Sequence, residues 1–353
     1  MTVSSADIPP PHFLLYTHTT HYYDVLASSV AQSFPAAETD YRLLGDSSIR
    51  VSVPIVGCGN IGDEKRSDYV LGPEKALPLL KATYDRGLTT WETTGFHCNG
   101  YSERVIAQAI KEYNLPRHKL VLMAKMRDCL SRSAIFTAVN DYLARLETDY
   151  IGLFWICRFD PYTPIEETMR ALHDLVTAGK IRCIGASLIS TYQVAMMQSC
   201  AETNGWTKFV TMQPISSSYL DLEEERELNK FRNETGVAIV TWGLIPAGHI
   251  ARSLSLEDTT GINSRVEELA RRKGWTLKEV AMAWTLQHVT NLIWVCYSAE
   301  SIDDTLSARG KELRGEEIKY LEEPYTPSEI EGHHEKTVVD LTGNCRCNCH
   351  TVN

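Results

Sequence analysis

The sequence lacks the features that mark a membrane protein, a secreted protein or a nucleic-acid-binding protein. No apolar run approaches the roughly 18 residues that a transmembrane helix needs. The amino-terminal residues have no cationic segment ahead of an apolar one, so they make a poor signal peptide. The net charge of −10 offers no basic surface for nucleic acid or for an anionic membrane. We therefore expect a cytoplasmic protein that acts on a small molecule.

Cysteine is too dilute for a disulfide-stabilised fold, with ten residues in 353. Seven of them are scattered through mostly apolar segments, as buried reduced thiols would be. The other three, Cys345, Cys347 and Cys349, lie beside His350. These residues could bind a soft metal, but structural zinc sites usually space their ligands more widely and use a second ligand pair. We predict no metal site and interpret residues 331–353 as a flexible, cysteine-rich tail.

A regular alternation of short apolar runs and amphipathic stretches begins near Tyr41. Residues 1–40 show no such period and contain a proline triplet, so we expect an irregular arm there. Eight β-branched runs follow, at Val51–Gly57, Leu88–Glu92, Leu120–Lys125, Tyr150–Ile156, Ile181–Ala186, Phe209–Gln213, Val237–Trp242 and Leu292–Cys296. Between and after them we predict helices at Glu74–Arg86, Ser102–Tyr113, Ser133–Leu146, Ile165–Ala178, Thr191–Glu202, Glu223–Thr235, Ile262–Lys273, Leu277–Gln287 and Ser301–Ala308.

This alternation predicts a fold of the α/β class. Gly87, Gly179 and Gly236 stand where helices should end, as C-cap glycines do. Eight strand–helix units imply parallel strands with helical crossovers, and so a single-domain (β/α)8 barrel of the TIM type over residues 41–330. A doubly wound sheet is the alternative. It is disfavoured because the glycines of Gly57–Gly62 are not followed directly by a helix.

Barrels of this kind carry their active site at the carboxyl ends of the strands. Glu92 and Lys125 end adjacent predicted strands, so their carboxylate and ammonium would form a partly buried pair. His97 lies five residues after Glu92. Such a pair could tune the acidity of a neighbouring group, or it could be a salt bridge that only closes the barrel. The polar and aromatic residues at these positions are Glu92, Lys125, Cys157, Ser187, Gln213 and Trp242.

Several longer segments resemble those of a known enzyme family. They are residues 76–82, 150–160, 179–187, 205–210 and 316–325. With these segments the sequence resembles the aldo-keto reductases, in particular their fungal, aryl-alcohol-dehydrogenase-like branch, from about Tyr41 to His333. The resemblance implies a (β/α)8 barrel that reduces carbonyls with NADPH, and the branch implies a role in fungal secondary metabolism. It also implies four catalytic residues at strand ends: an aspartate, a tyrosine that donates the proton, a lysine and a histidine.

Three of these four catalytic positions are changed. The aspartate corresponds to Glu92, the tyrosine to His97 and the histidine to Cys157, whereas the lysine is kept as Lys125. Beside a cationic lysine, an imidazole should titrate below its reference pKa near 6.5 and serve as a base or a weak acid. Alternatively, His97 only hydrogen-bonds a rim carbonyl. Cys157 is either a nucleophile whose thiolate Lys125 stabilises or, as we favour, a small filler.

The cofactor surface implied by the resemblance is also altered. Gln213 is kept, but Ser187 is followed by a leucine where the family has a second polar residue. The aromatic residue that stacks on nicotinamide falls near Ser216, although a shifted alignment would place Tyr219 there. Asp304 could meet an adenine amino group.

Two phosphate-binding segments have lost their usual residues. Residues 243–248 lack the arginine of the phosphate loop, and residues 295–304 contain no cation. Because charge-assisted contacts supply much of the affinity for phosphates, we expect no cofactor, with NADPH possible if Arg252 or Arg309 substitutes for the missing cations.

The scaffold and Lys125 are kept while the hydride and phosphate machinery is disturbed. We therefore predict a repurposed enzyme that performs non-redox acid/base chemistry: dehydration, isomerisation or cyclisation of a bulky, apolar secondary metabolite. An NADPH-dependent reductase of aldehydes or ketones is the alternative, and an inactive binding subunit is a third hypothesis. The aromatic residues expected to line the substrate pocket are Phe96, Tyr101, Trp155, Tyr219 and Trp242.

Overall fold

The computed structural model describes residues 39–66, 69–95, 98–127, 129–214, 222–242 and 261–324. It begins with an antiparallel hairpin of β1 (Asp40–Leu43) and β2 (Arg50–Val53). The predicted strand Val51–Gly57 is therefore wrong as one element: its first half belongs to this hairpin and its second half enters the barrel. Pro54 separates the two halves, since a proline has no N–H to continue a ladder.

Eight parallel strands form the closed barrel, with the last strand paired to the first. Their order around the barrel follows the chain, so each strand neighbours the next one. The strands are β3 (Ile55–Gly57), β4 (Thr90–Thr94), β5 (Val121–Arg127), β6 (Ile151–Cys157), β7 (Ile181–Ser187), β8 (Phe209–Gln213), β9 (Ala238–Trp242) and β10 (Asn291–Val295). The predicted (β/α)8 barrel is confirmed.

Alternation along the strands separates the barrel interior from the helix-covered surface. On β5 and β6, the buried residues Met123, Leu153 and Trp155 belong to the interior cluster. Their neighbours Ala124 and Phe154 instead pack in the outer core against the helices. Because the side-chain period of a strand is two, Lys125 and Cys157 continue the inward series.

Helices follow the strands and cover the outside of the barrel. Gly87, Gly179 and Gly236 have φ angles of 86°, 74° and 70° just after helices, which is the left-handed conformation that suits glycine. The helices are α1 (Pro73–Asp85), α2 (Tyr101–Glu112), α3 (Arg132–Arg145), α4 (Ile165–Thr177), α5 (Thr191–Asn204), α6 (Leu222–Thr235), α7 (Ile262–Lys273), α8 (Leu277–His288), α9 (Ala299–Leu306) and α10 (Gly315–Glu322).

Helix α10 was not predicted from the sequence, because its acidic, proline-flanked segment resembles a linker. In the structure its Leu321 packs in a cluster with α7 and α8. Among the residues that the structure describes, no helix combines the length and the apolarity that crossing a bilayer requires. Of the irregular arm predicted for residues 1–40, residues 1–38 lie outside the described residues, as does the cysteine-rich tail 331–353, whereas Asp40 already begins β1.

The hairpin closes the amino end of the barrel. Leu44 and Val51, both fully buried, pack in the interior cluster beneath the strands. Ser52 exchanges hydrogen bonds with Thr90, the first residue of β4, and its carbonyl accepts a bond from Asn291, the first residue of β10. A ligand must therefore enter from the opposite, carboxyl end.

Candidate active site

A buried ion pair lies inside the carboxyl end of the barrel, between neighbouring strands. Glu92 of β4 and Lys125 of β5 approach to 2.7 Å between Oε1 and Nζ, with side-chain exposures of 8% and 14%. Both side chains point inward because they follow the inward phase of their strands. The structure thus brings together the carboxylate and the lysine that the sequence singled out, and leaves a small part of the lysine side chain accessible.

Cys157 ends β6 beside this ion pair and is 5% exposed. Burial raises the pKa of its thiol, and the charge of Lys125 together with the hydroxyl of Ser187 offsets only part of the rise. The thiolate is the nucleophilic form of cysteine, so a raised pKa keeps the thiol neutral and unreactive. This environment favours the small filler over the nucleophile.

Ser187 and Gln213 form the next polar pair around the rim. Both are buried at the ends of β7 and β8, and the hydroxyl of Ser187 donates to Gln213 Oε1 at 2.8 Å. This bond leaves the Gln213 amide nitrogen buried, with no hydrogen-bond partner among the described residues. An unpaired buried donor is costly, so the site suits a ligand with an acceptor oxygen, such as a carboxamide.

The predicted aromatic residues occupy different environments. Trp155 is fully buried in the barrel interior, whereas Trp242 at the end of β9 is 43% exposed and Tyr101 at the start of α2 is 36% exposed. Trp155 therefore presents no surface to solvent and can only form a wall. The remaining candidates lie outside the described residues: Phe96, His97, Ser216 and Tyr219.

The segment after β10 has a neighbouring cation that the sequence did not reveal. Asp304 of α9 pairs with Lys278 of α8 at 2.8 Å, and the Lys278 ammonium lies 5.4 Å from the centre of the Trp294 ring. Arg309, by contrast, pairs at 2.8 Å with Asp40 in the hairpin at the amino end. The suggestion that Arg309 replaces a phosphate-binding cation is therefore wrong, while Arg252 lies outside the described residues.

Sequence reasoning also missed a tyrosine behind the ion pair. Tyr142 lies on α3, where the pattern indicated only an ordinary helix, yet its hydroxyl contacts the backbone of Lys125. An aromatic residue at a buried helix position is usually core, so the sequence contained no signal for this contact.

Comparisons with known proteins identify the relatives of this barrel. A model of the aldo/keto reductase family matches residues 55–325. An aldo-keto reductase of Fusarium vanettenii is 41% identical, over 87% of this chain and 97% of its own length. The versiconal hemiacetal acetate reductase of Aspergillus parasiticus is 34% identical, over 82% and 98%. The solved structure of a thermostable aldo-keto reductase in complex with epalrestat superimposes with a TM-score of 0.70 at 26% identity, over 81% of this chain and all of its own.

These relatives overturn the expectation of non-redox chemistry. They are named reductases, a putative aryl-alcohol dehydrogenase of Schizosaccharomyces pombe is a further match, and none of these matches points to a dehydration, isomerisation or cyclisation. The prediction of a lyase or isomerase is therefore wrong, and the oxidoreductase alternative is favoured. That prediction rested on residues that differ from the family pattern at three positions, and altered residues do not by themselves specify a different reaction. By its fold, the extent of the family match and its curated relatives, this chain belongs to the aldo/keto reductase family.

Proposed function

We propose that this protein is an NADPH-dependent reductase of a carbonyl group in a bulky, apolar small molecule. The observation that carries the proposal is the Glu92–Lys125 ion pair, held at 2.7 Å inside the ligand-accessible end of the barrel. A reductase must stabilise the negative charge that develops on the carbonyl oxygen, and a fixed ammonium in a water-poor site does this effectively.

Lys125 supplies the field, and Glu92 fixes where that field acts. The carboxylate holds the ammonium against the strand ends, so the charge is preorganised before a substrate arrives. We propose His97 as the group that delivers the proton to the oxygen. It follows Glu92 by five positions in the sequence, and an imidazole exchanges protons readily near neutral pH.

The residues present fit a nicotinamide dinucleotide. The unpartnered amide nitrogen of Gln213 and the hydroxyl of Ser187 suit a carboxamide group. Lys278 of α8, which pairs with Asp304 of α9, offers a cation for a phosphate of the adenosine half. When bound, NADPH would supply the hydride. The protein residues would hold the cofactor, orient the carbonyl of the substrate and deliver the proton.

The substrate class follows from the aromatic residues at the open end. Trp242 and Tyr101 expose apolar surface there, and buried Trp155 closes the interior beneath the site. A relative named for the reduction of a hemiacetal acetate supports a secondary metabolite as the substrate.

The proposal is tested with the full-length protein and a panel of aromatic and aliphatic aldehydes and ketones. We expect NADPH consumption matched by alcohol formation, and a fall of about a thousandfold in kcat/KM for Lys125→Met. Lys81→Met is the matched control, because Lys81 forms an exposed pair with Asp85 and should change the rate less than twofold.

Two further variants examine the proton donor. His97→Phe should abolish turnover, whereas His97→Tyr, which restores a hydroxyl donor, should retain measurable activity. If the wild-type protein binds no NADPH in calorimetry and consumes none with any carbonyl in the panel, the proposed function is wrong.

A further inference from the structure

Helix α3 places a buried tyrosine directly behind the Glu92–Lys125 ion pair. Tyr142 is 3% exposed, and its ring meets that of Phe154 edge-on, with centroids 6.1 Å apart and planes inclined by 76°. This packing orients the ring so that only its hydroxyl reaches the carboxyl ends of β4 and β5. The side chain therefore has one available conformation and one polar atom to place.

The Tyr142 hydroxyl joins two strands at the point where their pairing ends. It donates to the carbonyl oxygen of Lys125 at 2.5 Å and accepts from the N–H of Gly95 at 2.6 Å. The β4–β5 ladder stops at the pair Thr94 and Lys125, while β5 continues to Arg127. Gly95 is thus the first residue beyond the ladder, and the hydroxyl bridges the two backbones there. Burial raises the pKa of this hydroxyl, so it keeps the proton that it donates.

Arg145, one turn further along α3, contacts residues at and just before the start of α2. Its guanidinium lies 4.8 Å from the Tyr142 ring centre, and its Nε is 3.8 Å from Oε2 of the fully buried Glu103 on α2. Gly100 has a φ of 76°, and a Cβ at that position would collide with the Arg145 side chain. Helix α3 therefore contacts the backbone at two places: at Gly95, just after β4, and at Gly100, just before α2.

We propose that Tyr142 is a positioning residue that fixes the backbone of Lys125 and Gly95 for the reaction. This inference rests on the proposed reductase function. The ammonium of Lys125 is placed by its side chain, which extends from a backbone whose carbonyl Tyr142 holds. Without the hydroxyl, the Gly95 N–H loses this partner, and the Lys125 carbonyl exchanges a hydrogen bond of 2.5 Å for the weaker contact of 3.4 Å with the Thr94 hydroxyl. Buried backbone groups in that state shift to find new partners.

A small shift of this kind should reduce the rate without weakening cofactor binding. Effective catalysis requires groups placed to within fractions of an ångström, and a displacement of about 1 Å can cost a hundredfold. The hydrogen bonds of the Tyr142 hydroxyl go to Gly95 and Lys125, at the ends of β4 and β5, whereas Ser187 and Gln213 lie at the ends of β7 and β8. We therefore expect kcat to fall and the KM for NADPH to stay unchanged.

The chain offers a matched control, Tyr41, at the amino end of β4. Tyr41 also donates from its hydroxyl to a backbone carbonyl, that of Gly87, at 2.5 Å, and its hydroxyl lies 3.2 Å from that of Thr89. These contacts precede β4 at the amino end of the barrel, away from the ion pair. Tyr41→Phe thus removes a comparable hydrogen bond without touching Lys125 or Gly95.

The experiment compares Tyr142→Phe and Tyr41→Phe in the full-length protein, with NADPH and 4-nitrobenzaldehyde as the probe. For Tyr142→Phe we expect kcat to fall about thirtyfold and the KM for NADPH to change less than twofold. Exchange of the Gly95 amide hydrogen, followed by NMR, should accelerate at least about tenfold. Tyr41→Phe should leave kcat, the KM for NADPH and the exchange rate at Gly95 unchanged. It should nevertheless lower the melting temperature about as much as Tyr142→Phe does.

Two results would overturn the inference. One is a Tyr142→Phe enzyme whose kcat stays within about twofold of the wild type; the other is an equal loss of kcat in both variants, which would indicate a general loss of stability. If the wild-type protein reduces no carbonyl at all, the proposed function fails separately. Exchange at Gly95 then decides the inference alone: unchanged exchange in Tyr142→Phe contradicts it.

Discussion

The two ends of the barrel are formed by the same eight strands but by different kinds of side chain. At the amino end, Leu44 and Val51 fill the interior, and the buried polar groups of Ser52 and Thr90 bond to each other. At the carboxyl end, inward positions of β4 and β5 carry charge, and the amide nitrogen of Gln213 is buried without a partner among the described residues. At the amino end these buried polar groups have hydrogen-bond partners within the protein, whereas at the carboxyl end a buried donor is left for a ligand to bond.

This difference indicates how the molecule separates stability from reactivity. A buried polar group that finds its partner within the fold adds to stability, whereas one left unpaired costs free energy until a ligand satisfies it. The strands are long enough to keep the two environments apart, so residues can change at the carboxyl end without weakening the amino end. Such tolerance agrees with a chain that keeps the family fold while its residues at the carboxyl end, such as Glu92 and Cys157, depart from the family pattern.

The largest effect is expected from a cavity at the closed end. Leu44→Ala should lower the free energy of unfolding by about 3 kcal/mol, because Leu44 is fully buried in the interior cluster. Urea denaturation measures this loss, and kcat of the folded enzyme should not change. Leu43→Ala is the control, since Leu43 is 47% exposed and should cost less than about 0.5 kcal/mol. A large fall in kcat for Leu44→Ala would show that the two ends are coupled.

A smaller effect is expected from replacing Gln213, which ends β8, and is compared with Gln198 of α5, which contacts the start of that strand. Gln213→Leu should weaken NADPH binding about tenfold in calorimetry, because it removes the unpartnered amide donor at the carboxyl end. Gln198→Leu is the matched control, since both amide atoms of Gln198 already bond the backbone of Phe209 at the start of the same strand. That variant should lose stability and keep its NADPH affinity. Equal affinities in the two variants would contradict the assignment of Gln213.

The smallest effect concerns the loops that support the carboxyl end. Asp160 accepts hydrogen bonds from the N–H of Leu130 at 2.8 Å, from the Thr163 hydroxyl at 2.7 Å and from the N–H of Tyr162 at 3.0 Å. Although partial burial alone would raise the pKa of this carboxyl, the hydrogen bonds outweigh burial and lower it. Because Asp160 is only partly buried and solvent screens its charge, Asp160→Asn should cost about 1 kcal/mol of stability at pH 7.

The pH dependence gives that prediction its sign. A carboxyl whose pKa is lower in the folded state stabilises the protein above its unfolded value, near 3.9, and loses that contribution as the pH falls through the lower folded value. The stability difference between the wild type and Asp160→Asn should thus shrink in urea titrations as the pH is lowered below about 4. A difference that stays constant down to pH 2 would show that the charge of Asp160 contributes nothing.

Some features of the site could be predicted because they depend on local patterns. The inward positions of Glu92, Lys125 and Gln213 follow from strand ends and a period of two, which the sequence displays directly. Helix α10 could not be predicted in this way, since its stability comes from packing against α7 and α8 rather than from its own composition. The reaction class was predicted wrongly, because departures from the family pattern at Glu92, His97 and Cys157 were interpreted as a change of chemistry.

Local patterns are enough to predict the barrel and its strand ends, since periodicity and helix-ending glycines act between residues close in the chain. Which distant groups meet depends instead on the three-dimensional packing. Pairing of β7 with β8 brings Ser187 to Gln213, the packing of α8 and α9 brings Lys278 to Asp304, and the packing of α3 brings Tyr142 to Lys125. Such contacts depend on how whole elements pack, and the residues that make them have no distinctive pattern of their own, so the local sequence does not encode them.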